Sequence, residues 1–188
     1  MVKSPKKRQN KAERDRKILR TNREVLLDRV VIILGGYEKI DLLQAIQTEL
    51  ERMDFVPIVP GVGPFKELNY SETPRQKLHG YTSNAKFVLV EDSKPSGAII
   101  ELEYCRHVGV ITPIIFEELS SEITGRSTFM TLDLEVHSKD FKSFRYMKTD
   151  MKSIRVLLKK VLFWVKNREK ERQREFQTLK KTVYARSS

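Results

Sequence analysis

RVVIILGGYEKIDLLQAIQTELERMDFVPIV, Arg29 to Val59, changes its hydrophobic pattern twice. The β-branched run 29–34 has the form of a buried parallel strand, and it stops at Gly35 and Gly36, where a turn is expected. Ile40, Leu43, Ala45, Ile46 and Leu50 then recur at the spacing of one helix face. FVPIV, 55–59, returns to a short apolar run. Strand, helix and strand in about thirty residues argue for a parallel sheet.

The rhythm continues outward. PGVGPF, 60–65, reads as a loop, and Thr73-Pro74-Arg75-Gln76 has the form of a capping box opening a helix that runs to about Asn84. KFVLVED (86–92) is a third strand, SGAIIELEYCRHVG (96–109) a third helix, and VITPIIF (110–116) a fourth strand. TLDLEV (131–136) alternates strictly and reads as a half-exposed edge strand, and no element is assigned between it and Asp150. From there Ile154, Leu157, Leu158, Val161, Leu162 and Val165 form a core-facing helical stripe. Beyond Lys166 only Phe176 and Leu179 continue it, so the helix is expected to leave the domain, exposed or packed on a partner.

The fold expected is α/β: a parallel sheet of flavodoxin-like, Rossmannoid type with helices on both faces, over 29–166. Helix-prone basic extensions occupy 1–28 and 167–188. The net charge of +11 divides unevenly: residues 1–24 hold 10 Lys/Arg against 3 acids, 152–188 hold 12 against 3, and 25–151 hold 14 against 19. Basic ends on a mildly acidic middle are read as solvated tails or as a surface for nucleic acid or an acidic partner. Absence of an apolar run of ~20 residues argues against a membrane span, and the lack of a signal-peptide pattern argues for the cytosol. One cysteine, Cys105, and three histidines provide neither a disulfide framework nor zinc-ligand spacing, so no metal or cofactor is expected.

In a sheet of this order, ligands bind at the carboxyl ends of the first and third strands. Those ends carry Gly35, Gly36 and Tyr37, and Asp92 and Ser93. The glycines allow close approach to a sugar or phosphate, or simply make a tight turn. The next helix carries Glu101 and Glu103. With Ala98 at 0° and about 100° per residue, Leu102 falls near 40°, Cys105 near 340°, Glu101 near 300° and Glu103 near 140°. Glu101 therefore lies on the apolar face, where desolvation would raise its pKa, unless backbone amides satisfy it. Glu103 faces Arg106 and His107, as a surface ion pair would. Cys105, turned inward without an activating base, reads as core.

Gly97 followed four residues later by Glu101-Leu102-Glu103-Tyr104, with RVVIILGGYEK and AKFVLVED upstream, resembles the nucleoside 2-deoxyribosyltransferases and TIR-like nucleotide-binding domains over roughly 29–118. The resemblance implies a glutamate, here Glu101, acting at the anomeric carbon of a ribosyl group as nucleophile or charge stabiliser. It implies Asp92 as the residue that orients Glu101 or holds a ribose hydroxyl, with Gly35, Gly36, Tyr37, Ser93 and Gly97 contacting sugar or phosphate. Tyr81 and His79 stand where a base could be stacked or a proton moved. Glu103 departs from the family pattern, which has glycine there. Three functions follow: an N-glycosidase or ribosyl transferase on a nucleoside, nucleotide or NAD; a non-catalytic nucleotide sensor; or a nucleic-acid binder using the basic ends. Assembly into a homo-oligomer through the C-terminal helix is expected with the first two.

Overall fold

The computed structural model describes residues 28–60, 82–93, 98–117, 129–147 and 149–185. Strands β1 (Val30–Leu34), β2 (Val56–Ile58), β3 (Phe87–Glu91), β4 (Thr112–Glu117) and β5 (Phe141–Tyr146) form one sheet. Their order is β2-β1-β3-β4-β5, and every neighbouring pair is parallel. This is the flavodoxin-like α/β arrangement read from the sequence. Helices α1 (Ile40–Arg52), α2 (Ala98–Val108), α3 (Phe129–His137) and α4 (Met151–Ala185) cover its two faces.

All five residues of β3 are buried, which is why its sequence is apolar until the last position. Alternate side chains serve different layers. Phe87 and Leu89 pack with Leu42 and Ile46 of α1 and Leu158 and Val161 of α4. Val88 and Val90 pack with Leu102 and Cys105 of α2 and Leu134 of α3. Local signals fix the helix ends. Gly109 closes α2 at φ +71°, where a side chain would be strained, and its N–H and that of Val110 both bond the Cys105 carbonyl, at 2.9 and 3.2 Å. Asp150 caps α4, its Oδ1 accepting from the Lys152 and Ser153 amides at 3.1 Å.

The stripe expected on α4 is the one that packs: Ile154, Leu158, Val161 and Val165 are essentially inaccessible. Past it, Arg168 is buried and reaches Asp140 at 2.7 Å and Glu175 at 3.1 Å, while Arg172 bonds Asp140 and the Gly109 carbonyl. Asp140 precedes β5 and Gly109 precedes β4, so α4 leaves the domain at the amino ends of the strands. Beyond this clasp Phe176, Leu179 and Val183 are all exposed, as the thinning stripe predicts.

The edge strand requires correction. TLDLEV lies within helix α3, and the edge strand is β5, FKSFRY, to which the sequence reading assigned nothing. Leu132 and Val136 stand four apart and share a helical face, so three alternate apolar residues arise in a helix as readily as in a strand. Leu134 turns to the core, at 3% exposure, while Val136 is 75% exposed. Lys142 and Arg145 keep β5 charged, as suits an edge. The helix expected from Thr73 and its capping box falls outside the described residues up to residue 81, as do residues 1–27, and the chain from 82 to 84 is helix end and turn.

Two substitutions on α4 separate core from extension. Leu158→Ala should destabilise by about 2–5 kcal/mol in urea unfolding, and Leu179→Ala by no more than ~0.5 kcal/mol. Equal losses would mean the extension is part of the fold.

Candidate active site at the carboxyl ends of the strands

The strand order reverses at β1, between β2 and β3, so the crevice lies where β1 and β3 end. β1 passes into Gly35 and Gly36 and then a 3-10 turn, Tyr37–Lys39, whose Lys39 amide bonds the Gly36 carbonyl at 3.0 Å before α1 begins. A Cβ on Gly35 would stand 3.0 Å from Glu91 Cβ and 3.2 Å from a Leu43 methyl. Gly35 therefore suits the close packing of β1 against the end of β3, where a Cβ would force its neighbours to give way. Gly36 meets only the Glu38 carboxylate, a flexible group that can move aside.

Three consecutive polar residues, Glu91, Asp92 and Ser93, are buried at 2%, 0% and 5% exposure. The strand alternation directs Glu91 and Ser93 to the α1/α4 face and Asp92 to the α2/α3 face. On the first face a closed network forms. Tyr146, the last residue of β5, donates to Glu91 Oε1 at 2.8 Å, and Ser93 Oγ also bonds this carboxylate. Ser93 Oγ accepts from the Glu117 amide at 2.8 Å and lies 3.1 Å from the Tyr146 hydroxyl. One carboxylate thus ties together the ends of β3, β4 and β5. Burial, and then the adjoining Glu91 carboxylate, push the Tyr146 phenol far above its usual range, so it remains a donor. At the rim Lys39 Nζ meets Glu117 Oε2 at 2.5 Å, both side chains being largely covered.

On the other face, the Asp92 amide bonds the Ile115 carbonyl at 2.9 Å, continuing the ladder one step past β3. α2 begins shortly after, with Glu101 in its first turn. Leu102 and Cys105 are fully buried against the sheet, and Glu101 is half-buried on the adjoining flank. Burial pushes the Glu101 carboxyl above the ordinary glutamate value. Cys105 is pushed up to about 12, chiefly by burial and further by Glu101, so its thiol stays protonated and unreactive. Glu103 takes the exposed flank, chelating Arg106 at 2.6 and 3.1 Å, as the helical wheel indicated.

Of the sequence-derived site residues, Gly35, Gly36, Asp92, Ser93 and Glu101 are described at this edge. Tyr37 is placed by its backbone alone, and Gly97, Tyr81 and His79 fall outside the described residues. Sequence reasoning missed Glu91, Tyr146, Lys39 and Glu117. The signal for Glu91 was present: residues 91 and 92 of an extended chain face opposite ways, so one carboxylate always points into the α1/α4 layer. Tyr146 was hidden because β5 was not recognised. Compared with known proteins, the chain matches no protein-family model and no curated protein sequence.

Gly35→Ala should cost about 1–3 kcal/mol in chemical unfolding, and Gly36→Ala under ~1 kcal/mol. Equal effects would remove the close-packing role of Gly35. Tyr146→Phe takes a donor from a buried carboxylate and should destabilise by about 1–3 kcal/mol. An unchanged unfolding midpoint would show that water replaces the phenol.

Proposed function

We propose that this protein cleaves the N-glycosidic bond of a nucleoside, nucleotide or NAD, with Glu101 at the anomeric carbon. The observation that carries the reading is a half-buried carboxylate in the first turn of α2, the helix that follows the central strand, with its protonation favoured by burial. A carboxylate held partly out of water interacts more strongly with positive charge developing at a neighbouring carbon than one in bulk solvent. As the C1′–N bond breaks, its electron pair leaves with the base, and ionised Glu101 either bonds C1′ or stabilises the oxocarbenium-like centre until water or another base takes the ribosyl group. Asp92 orients Glu101 or holds a ribose hydroxyl. The Gly35–Gly36 turn and Ser93 frame the side where sugar or phosphate enters. Pairing of Glu103 with Arg106 supports the reading, because the residue that departs from the family pattern is turned to the exposed flank.

The pH dependence follows from the direction of the Glu101 shift. A carboxyl whose folded pKa is raised binds its proton more tightly in the native state, so it disfavours folding once pH climbs past the unfolded value. Glu101→Gln should therefore abolish base release from a panel of nucleosides, nucleotides and NAD, read by chromatography, while leaving Tm at pH 7 unchanged or higher. Glu103→Gln should retain release. The acid limb of kcat/KM should lie above the ordinary glutamate value, since Glu101 must be ionised to act. No release from any substrate by folded protein would refute the enzyme reading and leave a nucleotide sensor, which ligand-induced stabilisation without turnover would reveal.

A further inference from the structure

One face of α4 carries charge that the described parts of the domain leave unneutralised. With Lys152 at 0° and about 100° per residue, Lys159, Lys166, Lys170, Arg174 and Lys181 all fall within about 40° of it. Ile154, Leu158, Val161 and Val165 lie on the opposite side, at about 180–240°. The six cations are exposed, and no acidic residue of α4 enters their sector. Among the described residues none of the six has an ion-pair partner. The three acids of the helix are placed elsewhere and are engaged: Glu169 with Lys86 at 3.0 Å, Glu171 with Arg168 at 3.2 Å, and Glu175 with Arg168 at 3.1 Å. Lys166, Lys170 and Arg174 repeat at i, i+4, where like charges weaken a helix. Phe163 and Val156, 69% and 49% exposed, lie in the same sector among the cations.

The stripe is straight and ~44 Å long at 1.5 Å per residue. A line of unpaired cations without an acid between them is complementary to a linear polyanion with regularly repeated charge. We propose that this face of α4 binds the phosphate backbone of a nucleic-acid duplex, which presents one charge per ~1.7 Å of axis. A membrane surface fits less well, because interfacial helices bury a long apolar face in the bilayer. Here that face, from Ile154 to Val165, is already buried in the domain. The inference goes beyond the glycosidase reading and does not depend on it.

The test is fluorescence anisotropy of the full chain with a labelled DNA duplex of about 20 base pairs, long enough to span the stripe, titrated across salt. Two variants are compared, each losing four charges: K166Q/K170Q/R174Q/K181Q on α4, and K3Q/K6Q/K7Q/K11Q at the N-terminus. Glutamine keeps helix propensity at exposed positions, and far-UV circular dichroism verifies the fold. The α4 variant should bind more than tenfold more weakly at low salt and lose about 3–4 from the slope of log K against log salt. The N-terminal variant should lose clearly less. Absence of duplex binding by the native chain, an unchanged slope in the α4 variant, or equal losses in both variants would overturn the proposal. So would α4-dependent capture by phosphatidylserine vesicles without duplex binding.

Discussion

A carboxylate held out of water at the end of the central strand organises this edge of the molecule. Glu91 is almost inaccessible, and a buried carboxylate without hydrogen bonds costs several kcal/mol. Its partners come from near and far along the chain: the Ser93 hydroxyl two residues on, and the Tyr146 hydroxyl at the end of β5. Supplying them brings together the ends of β3, β4 and β5, since Ser93 also accepts from the Glu117 amide. The same packing leaves little room for a side chain at residue 35, where a Cβ would crowd Glu91 and Leu43. The crevice is thus bounded on one side by a network whose described donors and acceptors meet one another.

In the proposed reaction, fixed geometry on that side leaves the chemistry to the other. Alternation at the end of β3 sends Asp92 across the sheet from Glu91, and α2 begins just beyond, with Glu101 in its first turn. α2 packs on that face through Leu102 and Cys105, and Glu101 is half-buried beside them on the helix. A network satisfied by hydroxyls and a carboxyl shifted by burial have different uses. The first holds shape, and the second is the group the proposed reaction would use. The opposite end of the domain is separate in kind: α4 departs there, clasped by Arg168 and Arg172 on Asp140, with its acids engaged outside the cationic sector and the cations of that sector without an ion-pair partner among the described residues.

Much of this was legible in the sequence because both faces of a parallel sheet are buried. Strands β1 to β4 read as unbroken apolar runs, α1 and α4 as stripes, and Gly35, Asp92, Ser93 and Glu101 fall where strand ends meet helix starts. The failures share a cause. TLDLEV and FKSFRY are short segments at the sheet's margin, where apolar and exposed positions mix and period carries little information. Leu132 and Val136 fit a helical face as well as a strand face, and Phe141, Phe144 and Tyr146 are diluted by Lys142 and Arg145. Losing β5 meant losing Tyr146, and with it the partner that makes Glu91 intelligible. Long-range hydrogen bonds leave no local trace, so the Lys39–Glu117 pair could not be read from either segment alone.

The claim on which the functional account rests is that Glu101, and not Glu103, is the carboxyl set apart by its surroundings. Carbon-detected NMR titration of the two glutamate side chains, assigned with Glu101→Gln and Glu103→Gln, measures this without presupposing a substrate. The account predicts that Glu101 titrates above the ordinary glutamate value and that added nucleoside perturbs its resonance while leaving that of Glu103 in place. Titration of Glu101 at or below the ordinary value, with no response to any nucleoside or nucleotide, would contradict it.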